Sequence, residues 1–371
     1  MNPDILKINP SLIEKTKLDD IRKVILSLKD KTASIKSGNV SIGVGGKLTS
    51  VSRKYFIGEL EQILKTRTLQ RTQYYINRLL KSLTENKTSK INDINLNRWK
   101  EYDDIITDSL WILDKRDQSG AHTAGYWGNF IPQIPNQFLK RYTKKGEWVL
   151  DPFAGSGTTL IESKRLGRNC IGIELNANVA NLAKKNLAKE KNPYKIITKV
   201  VRGDSTRIDI KTELNNLGIN SVQFVLMHPP YWDIIKFSKK KSDLSNADSV
   251  EDFLEKFGKV IDNIVYVLDN RRYLAVAIGD KYSDGEWIPL AFYTMQEVMK
   301  RGLKLKSTII KNFDATRGKM NQKELWRYRA LAGGFYIFKH EYIFLFQKVQ
   351  HVHHVPGTSK YRLSTLKVPG T

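Results

Sequence analysis

The sequence WVLDPFAGSGTT at residues 148–159 decides the fold class of this chain. Its apolar start, residues 148–150, predicts a buried strand, and a helix is predicted to begin near Thr158. Gly155 and Gly157 let the backbone pass close to a ligand because neither carries a side chain. The free amides at the start of the helix suit an electronegative group. The stretch therefore predicts a strand, a ligand-binding turn and a helix.

A carboxylate follows this turn at the spacing of a nucleoside-binding site. Glu174 ends the next apolar run, about 20 residues beyond the glycines, where it can hydrogen-bond both hydroxyls of a ribose. Leu160 stands where the third glycine of the dinucleotide-binding fingerprint would be, and no Gly-Lys-Ser/Thr phosphate loop follows. Because no pyrophosphate has to be held, S-adenosylmethionine (AdoMet) fits the turn better than NAD or ATP.

The turn lies in a region, from about residue 120 to 348, where short apolar runs alternate with helical segments. The runs that follow it are residues 170–173, 196–201, 224–227, 273–278 and 342–346. Near-continuous apolar runs separated by helices are typical of a parallel sheet covered on both faces. The predicted fold class is therefore α/β, with a doubly wound, mostly parallel sheet in a domain that spans residues 111–348.

Two further regions flank that domain. Residues 1–110 are predicted to be basic and mainly helical, with a glycine-rich loop or short hairpin at residues 37–46. A helix predicted over residues 54–87 carries interleaved basic residues and tyrosines, which suit either a phosphate-contacting surface or an ordinary solvated face. Residues 349–371 are predicted to be a tail, whose histidines favour a flexible polar segment over metal ligands. No metal site is predicted.

The composition favours a nucleic acid partner. Lysine and arginine total 62 against 38 aspartate and glutamate, which gives a formal net charge of +24. A field of this sign attracts polyanions, although composition does not separate DNA from RNA. No stretch approaches the roughly 18 apolar residues of a membrane span. The N-terminus lacks the apolar core of a signal peptide, so a cytoplasmic protein with no membrane partner is expected.

A second functional segment, His228-Pro229-Pro230-Tyr231, follows the apolar run at residues 224–227. The prolines fix a rigid turn at the carboxyl end of the sheet, where open α/β sheets bind ligands. The amino group of a nucleobase is a poor nucleophile because its lone pair is delocalised into the ring. An acceptor side chain and a proline carbonyl can hold its two hydrogens, while an aromatic ring stacks on the flipped base. Such a direct displacement needs positioning and electrostatics, and no covalent nucleophile.

Residues 149–159 resemble the AdoMet-binding motif of the amino-methylating DNA methyltransferases, which modify adenine N6 or cytosine N4. Residues 228–231 resemble that family's catalytic tetrapeptide, usually Asp, Asn or Ser followed by Pro-Pro-Tyr or Pro-Pro-Phe. Residues 129–135 resemble its segment around the methionine end of AdoMet, and residues 273–280 and 340–348 are looser matches. The resemblance implies AdoMet as cofactor, bound by Asn129, Pro132, Asp151, Pro152, Phe153, Gly155, Gly157, Thr158, Glu174 and Asp204.

Two of these positions carry alternatives. Asp204 matches the family's acid near the adenine amino group of the cofactor, although a helix N-cap or turn residue would look the same. His228 departs from the family pattern, and a neutral imidazole accepts only one hydrogen bond. Protonation would remove that acceptor, so activity is expected to fall below about pH 6.5. Alternatively, the Pro229 carbonyl does most of the work and His228 only shapes the pocket.

Target recognition must come from outside the motifs, because only 23 residues lie between Asp204 and His228. The candidate regions are residues 1–110, 236–249 and 312–334. Candidate contacts to the target base or DNA are Trp232, Asp233, Arg317, Lys319 and Arg327. Double-stranded DNA is the expected partner, and a cognate restriction endonuclease is a candidate partner. Nothing in the sequence predicts the oligomeric state.

Two other functions stay open. An RNA N-methyltransferase would share the cofactor fold and the Pro-Pro-Tyr segment, although residues 1–110 contain no recognisable RNA-binding module. A non-catalytic DNA-binding protein that retains AdoMet is kept open by His228. Protein glutamine methylation gives no reason for the charge of +24. Carbon-5 cytosine methylation needs a cysteine nucleophile, and the single cysteine, Cys170, lies in a predicted strand away from the catalytic segment.

Overall fold

The computed structural model describes residues 5–14, 16–123, 125–126, 128–313 and 323–349. The chain divides into two compact units between Ile105 and Ile106. The sequence placed this boundary five residues further along, after residue 110. Leu110 and Trp111 pair with a strand of the second unit's sheet, so the residues just before them already belong to that unit. The predicted tail lies outside the described residues from residue 350 onward. None of the helices in the described ranges has the length and apolarity needed to cross a bilayer.

The first unit combines helices with a three-stranded sheet in the order β1-β2-β3. Its elements are β1 Ile5–Ile8, α1 Leu18–Ser34, β2 Asn39–Val44, β3 Lys47–Ser52, α2 Arg53–Leu64 and α3 Leu69–Thr84, with short 3-10 helices at Pro10–Glu14 and Leu96–Glu101. The predicted hairpin is β2 and β3, which turn at Gly45 and Gly46. Their φ angles of 54° and 82° suit a two-residue hairpin turn. The sequence analysis missed β1, which pairs in parallel with β2.

Residues 54–87 form two helices rather than the single predicted one. Thr68 caps α3 by accepting a hydrogen bond from the backbone N–H of Arg71 (3.3 Å), and this start separates α3 from α2. The guanidinium groups of Arg71 and Arg78 lie 4.9 and 4.7 Å from the ring centroid of Tyr75. Arg78 also donates to a buried carboxylate of α2 (2.6 Å). Part of this basic face is therefore engaged within the unit itself.

The second unit is built on an eight-stranded sheet in the order β4-β12-β13-β9-β8-β5-β6-β7. Its elements are β4 Leu110–Trp111, α4 Gln133–Tyr142, β5 Trp148–Asp151, α5 Thr158–Leu166, β6 Asn169–Glu174, α6 Ala177–Lys189, β7 Thr198–Arg202, α7 Ile210–Asn215, β8 Val222–Met227, α8 Val250–Val267, β9 Leu268–Ile278, β10 Lys281–Ser283, β11 Glu286–Ile288, α9 Leu290–Lys300, β12 Leu303–Asn312, α10 Lys323–Gly333 and β13 His340–Lys348, with short 3-10 helices at Trp232–Ile234 and Leu244–Asn246. Strands β9, β8, β5, β6 and β7 run parallel, whereas β13 is antiparallel to both β9 and β12. The predicted doubly wound, mostly parallel sheet is confirmed.

Alternate residues of the central strands face two separate cores. Leu150 and Val225 belong to a cluster with α7, α8 and α9, whereas Val149 and Phe224 belong to a cluster with α4, α5 and α6. Because both faces of the sheet are covered, the strands read as continuous apolar runs rather than as alternating ones.

The strand order reverses between β5 and β8, which are neighbours in the sheet. From β5 the chain moves outward through β6 to β7, and it then returns to β8 and moves outward to β9 on the other side. Open α/β sheets bind ligands outside the carboxyl ends of the strands at such a point. The glycine turn follows β5 and residues 228–231 follow β8, so both functional segments start there.

Gly172 of β6 lies where the sheet and α5 approach closely. A Cβ atom at this position would lie 2.7 Å from Leu160 Cδ1 and 2.8 Å from Ala154 Cβ. Gly172→Ala is therefore expected to destabilise the second unit by about 1–3 kcal/mol through overpacking. The measurement is the midpoint of thermal unfolding of the full chain.

Gly58→Ala in α2 is the matched control for this substitution. Outside the neighbouring backbone of its own helix, no atom of the described residues lies within 4 Å of a Cβ at Gly58. This variant is expected to stabilise the first unit by about 0.4–1 kcal/mol. An unchanged midpoint for Gly172→Ala would contradict the packing described for β6.

Candidate active site

A cavity of about 890 Å³ lies at the carboxyl ends of the parallel strands in the second unit. Its wall is formed by the segments that follow β5, β6, β7, β8 and β9, together with residues of β12 and β13. Its volume lies within the range of about 300–1,000 Å³ that small-molecule sites occupy. The cavity is therefore large enough for a cofactor and part of a second ligand.

Glu174 and the glycine turn form one end of the cavity. Glu174 Oε2 accepts a hydrogen bond from Gly155 N (2.9 Å), and Oε1 accepts one from Asn176 N (2.8 Å). Burial raises the pKa of Glu174 to about 7, because desolvation disfavours the charged form. Each carboxylate oxygen keeps a second lone pair, which can accept a hydrogen bond from a ribose hydroxyl.

Six of the predicted cofactor-binding residues line this cavity, namely Asn129, Pro152, Phe153, Gly155, Glu174 and Asp204. Gly155 has a φ of 52°, a backbone conformation that favours glycine, and a Cβ there would lie 3.1 Å from Tyr126 Cε1. Both the backbone angle and the lack of space therefore favour glycine at this position. Asn129 Oδ1 accepts a hydrogen bond from Ser156 Oγ (2.7 Å), which ties the predicted methionine-end segment to the glycine turn.

The other four predicted cofactor residues, Pro132, Asp151, Gly157 and Thr158, do not line the cavity in the described part of the chain. Asp151 is 1% exposed, and its Oδ1 accepts a hydrogen bond from Phe153 N (2.9 Å), which shapes the turn. Gly157, with a φ of 92°, precedes α5 and packs against α6. Pro132 and Thr158 are buried. These four residues therefore lie behind the cavity wall, and their contact with the cofactor stays a prediction.

Asp204 lies in the cavity wall and also shapes a turn. Its Oδ1 accepts hydrogen bonds from the backbone N–H (3.0 Å) and the hydroxyl (2.7 Å) of Thr206. The geometry is consistent with both interpretations of the sequence, a turn residue and an acid that faces the cofactor.

The residues at this end of the cavity fit AdoMet. The bare backbone at Gly155 lets a ligand approach closely, and Glu174 offers two carboxylate oxygens to a ribose. Apolar atoms of Phe153 and Ile173 line the same wall. This donor set suits a nucleoside that carries no pyrophosphate, in agreement with the sequence-based choice of AdoMet.

AdoMet binding is expected to weaken as the pH falls through about 7, the raised pKa of Glu174. The carboxylate is ionised above that pH and protonated below it, and protonation removes the charge-assisted hydrogen bonds to the ribose. Calorimetric titrations on either side of this pH measure the effect. Glu174→Gln, which does not titrate, is the control and should bind weakly with no such pH dependence. A wild-type dissociation constant that is constant across this range would contradict the role of Glu174.

Residues 228–231 line the same cavity as the glycine turn. The imidazole of His228 packs against the ring of Phe130, with the ring centroids 5.0 Å apart. The ring of Tyr231 is covered on one side by Gly279, where a Cβ would lie 2.8 Å from Cε2. The structure therefore brings the two segments predicted to bind cofactor and target base into one site.

Sequence reasoning missed two charged residues of this site, Lys311 of β12 and Glu341 of β13. Glu341 Oε2 accepts a hydrogen bond from the hydroxyl of Tyr231 (2.6 Å), and that hydroxyl lies 3.0 Å from His228 Nε2. The sequence could have pointed to Glu341 through its charge. A carboxylate within the apolar strand at residues 340–348 is costly unless it is paired.

Trp232 and Asp233 were expected in the pocket wall, but neither lines the cavity. Trp232 Nε1 donates to the backbone carbonyl of Ala247 (2.9 Å), and Lys281 Nζ lies 4.0 Å from the centroid of the Trp232 ring. Asp233 Oδ1 pairs with the same Lys281 Nζ (2.6 Å). Since Lys281 does line the cavity, the two residues position a wall residue instead of forming the wall.

The other recognition candidates have different outcomes. Arg327 is exposed on α10 and does not line the cavity, while Arg317 and Lys319 lie outside the described residues. Residues 236–249 contribute Phe237 and three further residues to the cavity wall. This segment therefore helps to enclose the cavity. The sequence had offered it only as a candidate region for target recognition.

A family model described as DNA methylase, with the label N6/N4, matches residues 16–185 and 222–368 of the chain. The chain belongs to this DNA methylase family. A second model, an RMKL-like methyltransferase domain, matches residues 140–284. The family match confirms the resemblance found in the sequence and, with it, the AdoMet-dependent methyltransferase fold and AdoMet as the cofactor.

Curated relatives of this DNA methylase include the Type II methyltransferase M2.DpnII of Streptococcus pneumoniae, 30% identical over 50% of this chain and 63% of the relative. The Type II methyltransferase M.MjaII of Methanocaldococcus jannaschii is 44% identical over 55% of this chain and 32% of the relative. The tRNA (guanine(10)-N2)-dimethyltransferase of the same organism is 34% identical over 42% of this chain and 44% of the relative. The chain thus spans less than two thirds of the length of each of these relatives.

Proposed function

We propose that this DNA methylase transfers a methyl group from AdoMet to the exocyclic amino group of a flipped adenine (N6) or cytosine (N4) in double-stranded DNA. One observation carries the proposal. The glycine turn with Glu174 and the His-Pro-Pro-Tyr segment, which follow the adjacent strands β5 and β8, line a single cavity. A nucleoside cofactor and an amino group can therefore be held side by side.

The residues of the site have separate tasks in this reaction. AdoMet, when bound, supplies an electrophilic methyl group. Glu174 holds the ribose, and the backbone of Gly155 allows close approach. His228 and the carbonyl of Pro229 accept the two hydrogens of the amino group and direct its nitrogen, while the ring of Tyr231 provides a surface for the flipped base. The buried network behind Tyr231 keeps that ring in place, which reduces the reorganisation needed at the moment of transfer.

The partners belong to the same proposal. The formal net charge of +24 supports a polyanionic substrate, since neutralised phosphates release their counterions. The match to the DNA methylase family supports DNA as the substrate. A restriction–modification setting with a cognate endonuclease is part of the proposal, and two relatives are named Type II methyltransferases. A cytoplasmic location follows from that setting.

Transfer of a tritiated methyl group from AdoMet to DNA of varied sequence tests the proposed function. We expect incorporation into DNA, and mass spectrometry of the nucleosides identifies N6-methyladenine or N4-methylcytosine. Transfer RNA serves as the competing substrate, because one relative is a tRNA guanine-N2 methyltransferase. Incorporation into tRNA alone would favour the RNA function. AdoMet binding without incorporation into either substrate would favour a non-catalytic protein.

The acid limb of activity is expected at lower pH than the unperturbed pKa of histidine suggests. Burial lowers the pKa of His228 below its ordinary value of about 6.5 and outweighs the carboxylate of Glu341 and the carbonyl of Gly128, while Lys311 adds to the lowering. The neutral imidazole is the acceptor, so the midpoint of the fall in rate should lie below about pH 6.5. The sequence-based expectation of a fall below about pH 6.5 keeps its direction, and the lowered pKa of His228 moves the midpoint further down.

A single-turnover pH–rate profile at saturating AdoMet measures this limb. Saturation separates it from the cofactor affinity, which Glu174 governs. His228→Asn, whose side chain does not titrate, is expected to lack the limb. A limb that persists unchanged in His228→Asn would assign the titration to another group.

A further inference from the structure

Two oppositely charged side chains lie buried beside the methylation site. Lys311 and Glu341 are paired positions on the adjacent antiparallel strands β12 and β13. They are 6% and 7% exposed, and Lys311 Nζ lies 3.1 Å from Glu341 Oε1. Replacing such a pair with apolar residues is often neutral or favourable for stability. Stability of the fold alone therefore does not explain why this buried pair is present.

The pair connects to the catalytic segment through the second oxygen of the carboxylate. Glu341 Oε2 accepts a hydrogen bond from the hydroxyl of Tyr231 (2.6 Å), and the same hydroxyl lies 3.0 Å from His228 Nε2. Four side chains on β12, β13 and the segment after β8 thus form one continuous chain of contacts that ends at His228.

The number of hydrogens fixes the direction of these bonds. A tyrosine hydroxyl has one hydrogen, and an ionised carboxylate can only accept. Lys311 and the other groups around Glu341 lower its carboxyl pKa despite its burial, which keeps it ionised. Tyr231 must then donate to Glu341, and its oxygen can only accept from His228. A neutral imidazole has a single N–H, and the carbonyl of Gly128 is a second acceptor beside it. Because the Tyr231 oxygen can only accept, its contact with Nε2 requires that hydrogen to be on Nε2.

We propose that Lys311 and Glu341 are positioning residues that hold neutral His228 as the Nε2–H tautomer, which leaves Nδ1 to accept a hydrogen of the target amino group. The proposal rests on the proposed methyl transfer and gives a role to two residues outside the catalytic tetrapeptide and the predicted cofactor-binding set. The groups that face His228 are Tyr231, Glu341, Lys311, the carbonyl of Gly128 and the ring of Phe130.

The histidine tautomer can be measured directly. The full chain is labelled with ¹⁵N-histidine, and ¹⁵N NMR at a pH where His228 is neutral distinguishes a protonated from an unprotonated Nε2. The chain has six histidines, and the signal missing from His228→Asn assigns the one of interest. We expect the Nε2–H form in the wild type. A wild-type His228 in the Nδ1–H form overturns the proposal.

The double variant Lys311→Met/Glu341→Leu removes the pair without leaving an unpaired buried charge. The Tyr231 hydroxyl is then free to donate to His228 Nε2, so the tautomer should change to Nδ1–H. We expect kcat for DNA methylation to fall about 100-fold or more, as for other sites that lose a correctly held acceptor or tautomer. The dissociation constant of AdoMet should not change. An unchanged tautomer in the folded double variant overturns the proposal.

Glu341→Gln and Tyr231→Phe, singly and combined, test whether the pair acts through the tyrosine. If it does, Glu341→Gln reduces kcat in the wild type and has no further effect once the hydroxyl of Tyr231 is absent. Additive losses would show an independent structural role and overturn the positioning role. The NMR experiment needs neither DNA nor methyl transfer. A chain that methylates no DNA would therefore overturn the proposed function, while the NMR result would still decide the tautomer.

Discussion

Glu174→Ala is expected to weaken AdoMet binding by about 100-fold or more. The substitution removes both carboxylate oxygens that we propose bind the ribose, and hydrogen bonds to charged groups contribute about 1.5–3 kcal/mol each. A loss of about 3 kcal/mol corresponds to a change of about 100-fold in the dissociation constant. The effect includes local loosening, because Gly155 N and Asn176 N lose their acceptor.

Isothermal titration calorimetry with AdoMet measures this loss at a pH above 7. Glu255→Ala is the matched control, since Glu255 forms an exposed ion pair with Lys259 on α8. That change should leave the dissociation constant unaffected. Wild-type affinity in Glu174→Ala would contradict the assignment of the nucleoside end of the cavity.

His228→Ala is expected to reduce the rate of methyl transfer to DNA by about 10²–10³-fold, the usual effect of losing one preorganised polar group at a reacting centre. The alanine offers no acceptor to the amino group, and the packing of the imidazole on Phe130 is lost as well. The dissociation constant of AdoMet should stay constant, because His228 is not part of the glycine turn. Single-turnover transfer of labelled methyl groups measures the rate.

His228→Asn is the matched variant for this test. Asparagine supplies an amide oxygen at the same position, and it is one of the residues that the resembling tetrapeptides carry there. We expect it to retain most of the wild-type rate. A wild-type rate in His228→Ala would show that the Pro229 carbonyl carries the chemistry and that His228 only shapes the pocket.

The sequence predicted the central sheet well because both of its faces are covered. Strands β5, β6 and β8 lie between two cores, so most of their residues are apolar and the runs stand out without an alignment. The region 1–105 was predicted less well. Its strand β1 is short and has exposed residues, and the break between α2 and α3 depends on one capping threonine.

The site divides in the same way. The glycine turn, Glu174 and residues 228–231 were found because each lies within one short segment whose residue types follow from local chemistry. Trp232 and Asp233 were misplaced since proximity along the chain does not decide which way a side chain faces. Trp232 adopts a φ of 49°, and its indole is held by the Ala247 carbonyl and by Lys281.

The sequence by itself determined the strand–turn–helix at residues 148–159, the carboxylate that follows it and the Pro-Pro-Tyr segment, because these depend on local backbone needs and on hydrophobic runs. Only the tertiary structure decided that Lys311 and Glu341 join the site. Strand β13 lies between β9 and β12, which brings residues far apart in the chain onto neighbouring strands. Pairing between strands is a non-local property, so no single stretch of sequence shows that the Tyr231 hydroxyl meets Glu341.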